Sequence, residues 1–209
     1  MSLLAPEILL QTTIQAQVTN LMNNYAAYGP SIYGNLPTTP FNYQQDAQNF
    51  WTEQGNSLTV MQGYAWQEQN LPLVALVLGS SDEVTGFQPI GEVVDVNYDS
   101  TAGTYTEEHG SLFQTRYQLH VLSVNANLTL YIALFVKWVL LSQRSYLTGE
   151  GLMEQRISIG DLVPDPNAVQ NESLPVYERL VTLTCTHWDD YEVTGIVPSS
   201  VTIDITASN

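Results

Sequence analysis

The chain has 209 residues, enough for one sizeable domain, and its 44% hydrophobic content excludes disorder over most of its length. Five Lys and Arg stand against 21 Asp and Glu, a formal net charge of -16, which excludes a protein that holds nucleic acid by neutralising phosphates or docks on an anionic membrane. The five are also unevenly placed: none precedes Arg116, a stretch that holds eleven acids.

The first element is a helix. Pro6 suits its first turn, where a missing N–H costs nothing, and Glu7 favours the positive end of the helix dipole. Leu10, Ile14, Val18, Leu21 and Tyr25 then follow one helical face. The pattern predicts a helix over 6–28, ended by Gly29-Pro30. Residues 29–57, "GPSIYGNLPTTPFNYQQDAQNFWTEQGN", hold three prolines, three glycines and the aromatics Tyr33, Phe41, Tyr43, Phe50 and Trp51. A connection this long is uncommon in a compact domain unless it has a task. A solvated linker has no use for aromatics, so an extended, ordered arm is expected at about 29–57, packed on its own body or on a neighbour.

From Leu58 the hydrophobic period moves toward two. "LTVMQGYAW" reads as a short strand. "LPLVALVLG" is a continuous apolar run of strand length, as for a strand covered on both faces. "IGEVVDVNYD" alternates and ends in the turn signal "DSTAG". "SLFQTRYQLHVLSVN" alternates again, with Phe113, Tyr117, Leu119 and Val121 apolar. Asn125 or Asn127 caps a second helix that runs to about Leu147 and stops at Gly149. "LMEQRISIG" and "VYERLVTLTCTHW" are strands, the second with Val181, Leu183 and Cys185 on one face. "YEVTGIVPSSVTIDIT" closes the chain as one or two short strands. This order predicts one α+β domain over 1–209: a mainly antiparallel sheet with two long helices packed on one face, plus the aromatic-rich arm.

Within the second helix, Leu128 to Leu141 is broken only by Thr129 and Lys137. The run covers about 14 residues, short of the ~20 a spanning helix needs, so no membrane span is expected. A helix apolar on nearly every side is buried all round. A domain of this size has little material to wrap it, so a neighbouring subunit is expected to complete the burial. Leu134, Lys137, Trp138 and Leu141 are therefore interface candidates, together with Tyr33, Phe41, Tyr43, Phe50 and Trp51 of the arm. Lys137 either snorkels to the surface or pairs with an acid across a subunit contact.

Chemistry is sparse. A single cysteine, Cys185, allows no internal disulfide and reads as a buried apolar residue; an intracellular folding compartment follows from that usage. "MSLLAPEILL" lacks the positive region of a secretory signal, so the sequons at Asn127 and Asn171 carry no weight. Phosphate loops and a nucleophile elbow are absent. His109 reads as part of a solvated turn and His120 as a half-buried strand residue. His187, Asp189, Asp190 and Glu192 are metal-ligand types, but their spacing fits no known metal motif, and such a run is more often a solvated turn. No catalytic, cofactor or metal site is expected, and the chain is not expected to be an enzyme.

The element order, with "PEILLQTTIQAQVTNLMNNY", "LPLVALVLG", "IGEVVDVNYD", "RYQLHVLSVNANLTLYIALFVKWVLLSQRSYL" and "YERLVTLTCTHW", resembles the tail terminator (tail completion or neck) proteins of long-tailed bacteriophages. The resemblance implies a virion protein assembled in the host cytoplasm. It implies a ring, usually of six subunits, that caps the tail tube and meets the head-completion proteins. It implies too that DNA crosses the ring lumen, which an acidic surface would let pass without binding. The 29–57 arm would then reach a neighbouring subunit, a sheath protein or a collar protein. A head-completion or stopper ring has the same texture. A different class, a small-ligand module, would use Tyr43, Trp51, Tyr64 and Trp66 as a platform; a third would place a metal at His187 and its acidic neighbours.

Overall fold

The computed structural model describes residues 5–54, 57–63, 71–84, 93–99, 101, 104–164 and 176–196. In chain order these form α1 (Pro6–Asn23), α2 (Tyr25–Tyr33), α3 (Tyr43–Asn49), a π-helical turn (Phe50–Gln54), β1 (Thr59–Gln62), β2 (Leu73–Glu83), β3 (Val93–Asp99), β4 (Thr104–Ser123), α4 (Ala126–Ser142), α5 (Arg144–Gly149), β5 (Met153–Pro164) and β6 (Tyr177–Ile196). The class is α+β. The strands are ordered β1-β2-β4-β6-β5, with β3 pairing β4. The sheet is mixed: β3–β4 and β5–β6 are antiparallel, whereas β1 pairs parallel to β2, Thr59 opposite Leu73.

Two compact units divide the chain. One contains Leu3–Asp82 and Gln114–His187, the other Glu83–Phe113 and Trp188–Asn209. The first holds the main core. Leu10, Ile14, Val18 and Leu21 of α1 meet Tyr117, Leu119 and Val121 of β4 and Val181, Leu183 and Cys185 of β6. Alternation explains the strand contributions, since residues two apart share a face. Leu122 points the other way and packs with Leu73 and Val176 in a smaller cluster. The apolar run of β2 is thus covered on both faces, Val74 and Leu76 by the main core and Leu73 by the small cluster. That double cover ends at Leu76, and Leu78 is exposed.

The first helix differs from expectation. It breaks at Asn24, whose side chain bonds back to Asn20 O at 3.2 Å. The following helix, α2, then runs through Gly29-Pro30 instead of ending there. A residue before proline resists the α region because its Cβ meets the proline ring, and Gly29 has no Cβ. The aromatic stretch is helical rather than extended. Asn42 Oδ1 caps α3 by accepting from Gln45 N at 3.1 Å, and Gln44 Nε2 ties α3 back to the carbonyls of Gly34 and Leu36 at 2.9 and 2.8 Å. Asn125 is the cap of α4, its Oδ1 accepting from Asn127 N at 2.8 Å and Leu128 N at 3.4 Å.

In the second unit, β3 and the first part of β4 form an antiparallel pair with Val96 opposite Glu107 and Tyr98 opposite Tyr105. His109 lies in this ladder rather than in a turn. Strand β6 continues through Asp189 and Asp190 to Ile196, so "THWDDYE" is strand, not turn. The final expected strand, from 197 onward, lies outside the described residues.

Candidate assembly surface

Helix α4 has two unlike sides. Tyr131, Ile132, Phe135, Val136, Val139 and Leu140 are buried in the chain's own core. Thr129, also buried, donates to Asn125 O at 3.1 Å and to Tyr177 O at 3.4 Å, so its hydroxyl costs little there. The other side carries Leu130, Leu134, Lys137, Trp138 and Leu141. Lys137 and Leu141 are exposed and the other three half-buried. Trp138 leans on Tyr28, ring centroids 5.6 Å apart. Leu130, Leu134 and Trp138 rest against the rim of the same core, so this outer side is apolar but for one lysine and exposes only Leu141 among its apolar residues. In a helix facing only solvent, that side would be polar.

The aromatic candidates divide. Tyr33, Phe50 and Trp51 are buried in the chain's own core. Trp51 Nε1 donates to Tyr33 Oη at 2.6 Å, Tyr33 Oη donates to Tyr131 O at 3.1 Å, and Tyr131 Oη donates to Asp46 Oδ2 at 2.9 Å. Burial raises the Tyr33 and Tyr131 hydroxyls well above the usual tyrosine range, so both stay neutral and can keep donating. Phe41 and Tyr43 form an edge-to-face pair, centroids 4.9 Å apart, with Phe41 exposed. A ligand platform cannot include Trp51, which is fully buried; Tyr64 and Trp66 lie outside the described residues. An open cleft of about 200 Å³ beside α2 is lined by Tyr25, Asn42 and Gln48 among others.

The polar groups do not converge. Among the described residues no group of three or more His, Cys, Asp or Glu could hold a metal ion. His120 Nδ1 pairs with Glu178, and His187 Nδ1 lies 3.4 Å from Thr115 Oγ1. Burial pushes the Cys185 thiol up to about 12, which makes it inert rather than nucleophilic. Among the described residues no helix is long and apolar enough to cross a membrane.

Residues missed by sequence reasoning include Tyr28, which supports Trp138, and Arg144, which stands exposed one turn past Leu141. Arg144 could have been found by continuing the outer side of α4 at i+3 and i+4 spacing.

Residues 82–204, more than half of the chain, match the family described as phage termination protein. The chain belongs to this family. It is a phage tail terminator-type protein, a structural component of the virion that works among other virion proteins. The match begins at the end of β2 and takes in β3 to β6 with α4 and α5; α1 to α3 precede it. No curated protein matches the chain.

Proposed function

We propose that the protein forms a closed ring at the head-proximal end of the phage tail, where it terminates the tail tube and joins it to the head-completion proteins. The observation that supports this reading most is the family match itself, together with the exposed Leu141 beside half-buried Leu134 and Trp138 on the outer side of α4. These side chains give the subunit apolar surface that a second copy would cover. Six subunits follow from the family resemblance. The net charge of -16 suits a lumen through which DNA passes without binding, since phosphate contacts need Lys and Arg. The role requires no cofactor, metal or catalytic group. Tail tube protein contacts one rim, the stopper ring the other, with sheath or collar protein outside. The family's description favours the terminator over the stopper position.

Light scattering with negative-stain images of the purified protein tests this reading. A closed ring with a central hole is the expected result. A subunit that stays monomeric alone and in the presence of tail tube protein would overturn it.

A further inference from the structure

The open cleft of about 200 Å³ between α2 and α3 is built from groups that the subunit leaves with bonding capacity to spare. A Cβ at position 29 would stand 2.5 Å from the Tyr25 ring. Glycine there lets the ring lie along α2, where it stacks on Tyr33 with centroids 6.2 Å and planes 12° apart. The α3 side is made of amides. Gln44 is held by its Nε2 to the carbonyls of Gly34 and Leu36, Gln45 by its Nε2 to Asn49 Oδ1 at 2.9 Å, and Asn42 by its Oδ1 to Gln45 N. Each of these amides is fixed at one end only. Among the described residues the other ends, Gln44 Oε1, Gln45 Oε1 and Asn42 Nδ2, make no hydrogen bond, and neither do the Gln48 side chain and the Tyr25 hydroxyl. Burial raises that hydroxyl to about 12, so it keeps its proton and can donate.

The lining selects the occupant by its chemistry. Among the described residues no Asp, Glu, Lys, Arg or His lines the cleft, in a chain with 21 acids. A charged ligand would give up hydration there and meet no opposite charge. A wholly apolar ligand would cover the amides and the Tyr25 hydroxyl and leave them unpaired. A neutral ligand that carries donors and acceptors side by side, with one apolar face for an aromatic ring, satisfies every group. A sugar ring has these properties: each hydroxyl both donates and accepts, and its C–H face packs on an aromatic ring. The cleft is also smaller than the ~300 Å³ from which ligand pockets usually start, which suits one ring and is too short for an extended peptide. We infer that this cleft binds a single uncharged sugar ring, with Tyr25 as its platform and the Gln48 and Asn42 amides as its polar partners. The site lies within one subunit and does not depend on the ring.

Saturation-transfer NMR on the full-length protein tests this. The probes are glucose, galactose, mannose and N-acetylglucosamine, with glucuronate and glucosamine as charged counterparts. The expected result is transfer to at least one neutral sugar, strongest at the C–H protons of one ring face, and weaker binding of the charged counterparts. Gln48 is exposed, so Gln48→Ala leaves the fold intact, which circular dichroism checks. Gln48→Ala and Tyr25→Phe should each weaken the Kd by roughly threefold to tenfold, the worth of one neutral hydrogen bond. Gln114→Ala, at an exposed position on β4, should leave it unchanged. No transfer to any of the four neutral sugars, tighter binding of a charged counterpart, or a Kd indifferent to both cleft substitutions would overturn the inference. None of these outcomes bears on the ring reading, which scattering tests separately.

Discussion

Trp51 donates its indole N–H to the hydroxyl of Tyr33 at 2.6 Å in a core where neither side chain is exposed beyond 1%. The same hydroxyl donates onward to the carbonyl of Tyr131 on α4. One oxygen thus joins α2, the π-helical turn and α4. Tyr33→Phe removes the acceptor and leaves the Trp51 N–H buried without a partner, a cost of about 1–3 kcal/mol. Trp51→Phe loses ring volume against Phe135, whose ring centroid lies 4.7 Å away, and should cost about as much or more. The double variant should cost less than the sum, because the shared bond is lost only once. Urea unfolding followed by circular dichroism measures all three; strict additivity would show that the bond contributes nothing.

Gly29 is required twice over. A Cβ there would stand 2.5 Å from the Tyr25 ring, and it would restore the clash that opposes helix before proline. Gly29→Ala should therefore destabilise by about 1–3 kcal/mol. Tyr25→Leu in the same chain should recover part of the loss by clearing the ring. If Gly29→Ala melts at the wild-type temperature, the close approach of Tyr25 is not a constraint.

Glu154 takes a positive φ of 48° where β5 bulges between Met153 and Arg156 against β6. That conformation costs an L-residue about 1–2 kcal/mol, part of which glycine returns through its own greater chain entropy. Glu154→Gly should raise stability by about 1 kcal/mol or less, seen as a small rise in Tm. A fall in Tm would mean that the Glu154 side chain contributes more than the strain costs.

The strand faces were legible in the sequence because one local rule decides them. Alternation at Tyr117, Leu119 and Val121, and at Val181, Leu183 and Cys185, needs no knowledge of partners, and Asn125 announces the α4 cap in the same local way. The 29–54 stretch was not legible. Its prolines and glycines speak for a loop, whereas its helices are held by contacts such as Tyr33 to Tyr131, 98 residues apart. The parallel pairing of β1 with β2 was hidden for a similar reason, since pairing direction leaves no trace in alternation. Helix α4 was half legible: the excess of apolar residues was plain, but the division into an inward and an outer side depends on where the sheet lies.

Alkaline pH should unfold the protein in a defined window. The Cys185 thiol moves from 9.0 to about 12 and the Tyr25 hydroxyl from 10.0 to about 12, both through burial. Each folded value lies above its unfolded one, so the contribution is fully present below pH 9 and is lost as pH rises toward 12. Tyr33 and Tyr131 shift in the same direction. The urea midpoint should stay level from about pH 7 to 9 and fall steadily above that, and a thiol reagent should label Cys185 only in urea. A midpoint that is unchanged at about pH 11 would contradict the burial of these groups.

The outer side of α4 can be separated from the core by the choice of position. Leu141 is 45% exposed, so Leu141→Asp removes little buried area from the subunit and should change its stability by about 0.5 kcal/mol or less. In a ring the same change would set a carboxylate inside an apolar contact, which costs several times more per interface, and closure repeats that cost at every joint. Leu141→Asp should therefore give folded, soluble subunits that do not form rings. Trp138→Glu should act in the same direction, with some loss of subunit stability because its ring also rests on Tyr28. Scattering and circular dichroism on the same samples separate the two effects. Rings that persist with both substitutions would make α4 an element of the subunit's own core and move the ring contact to another face.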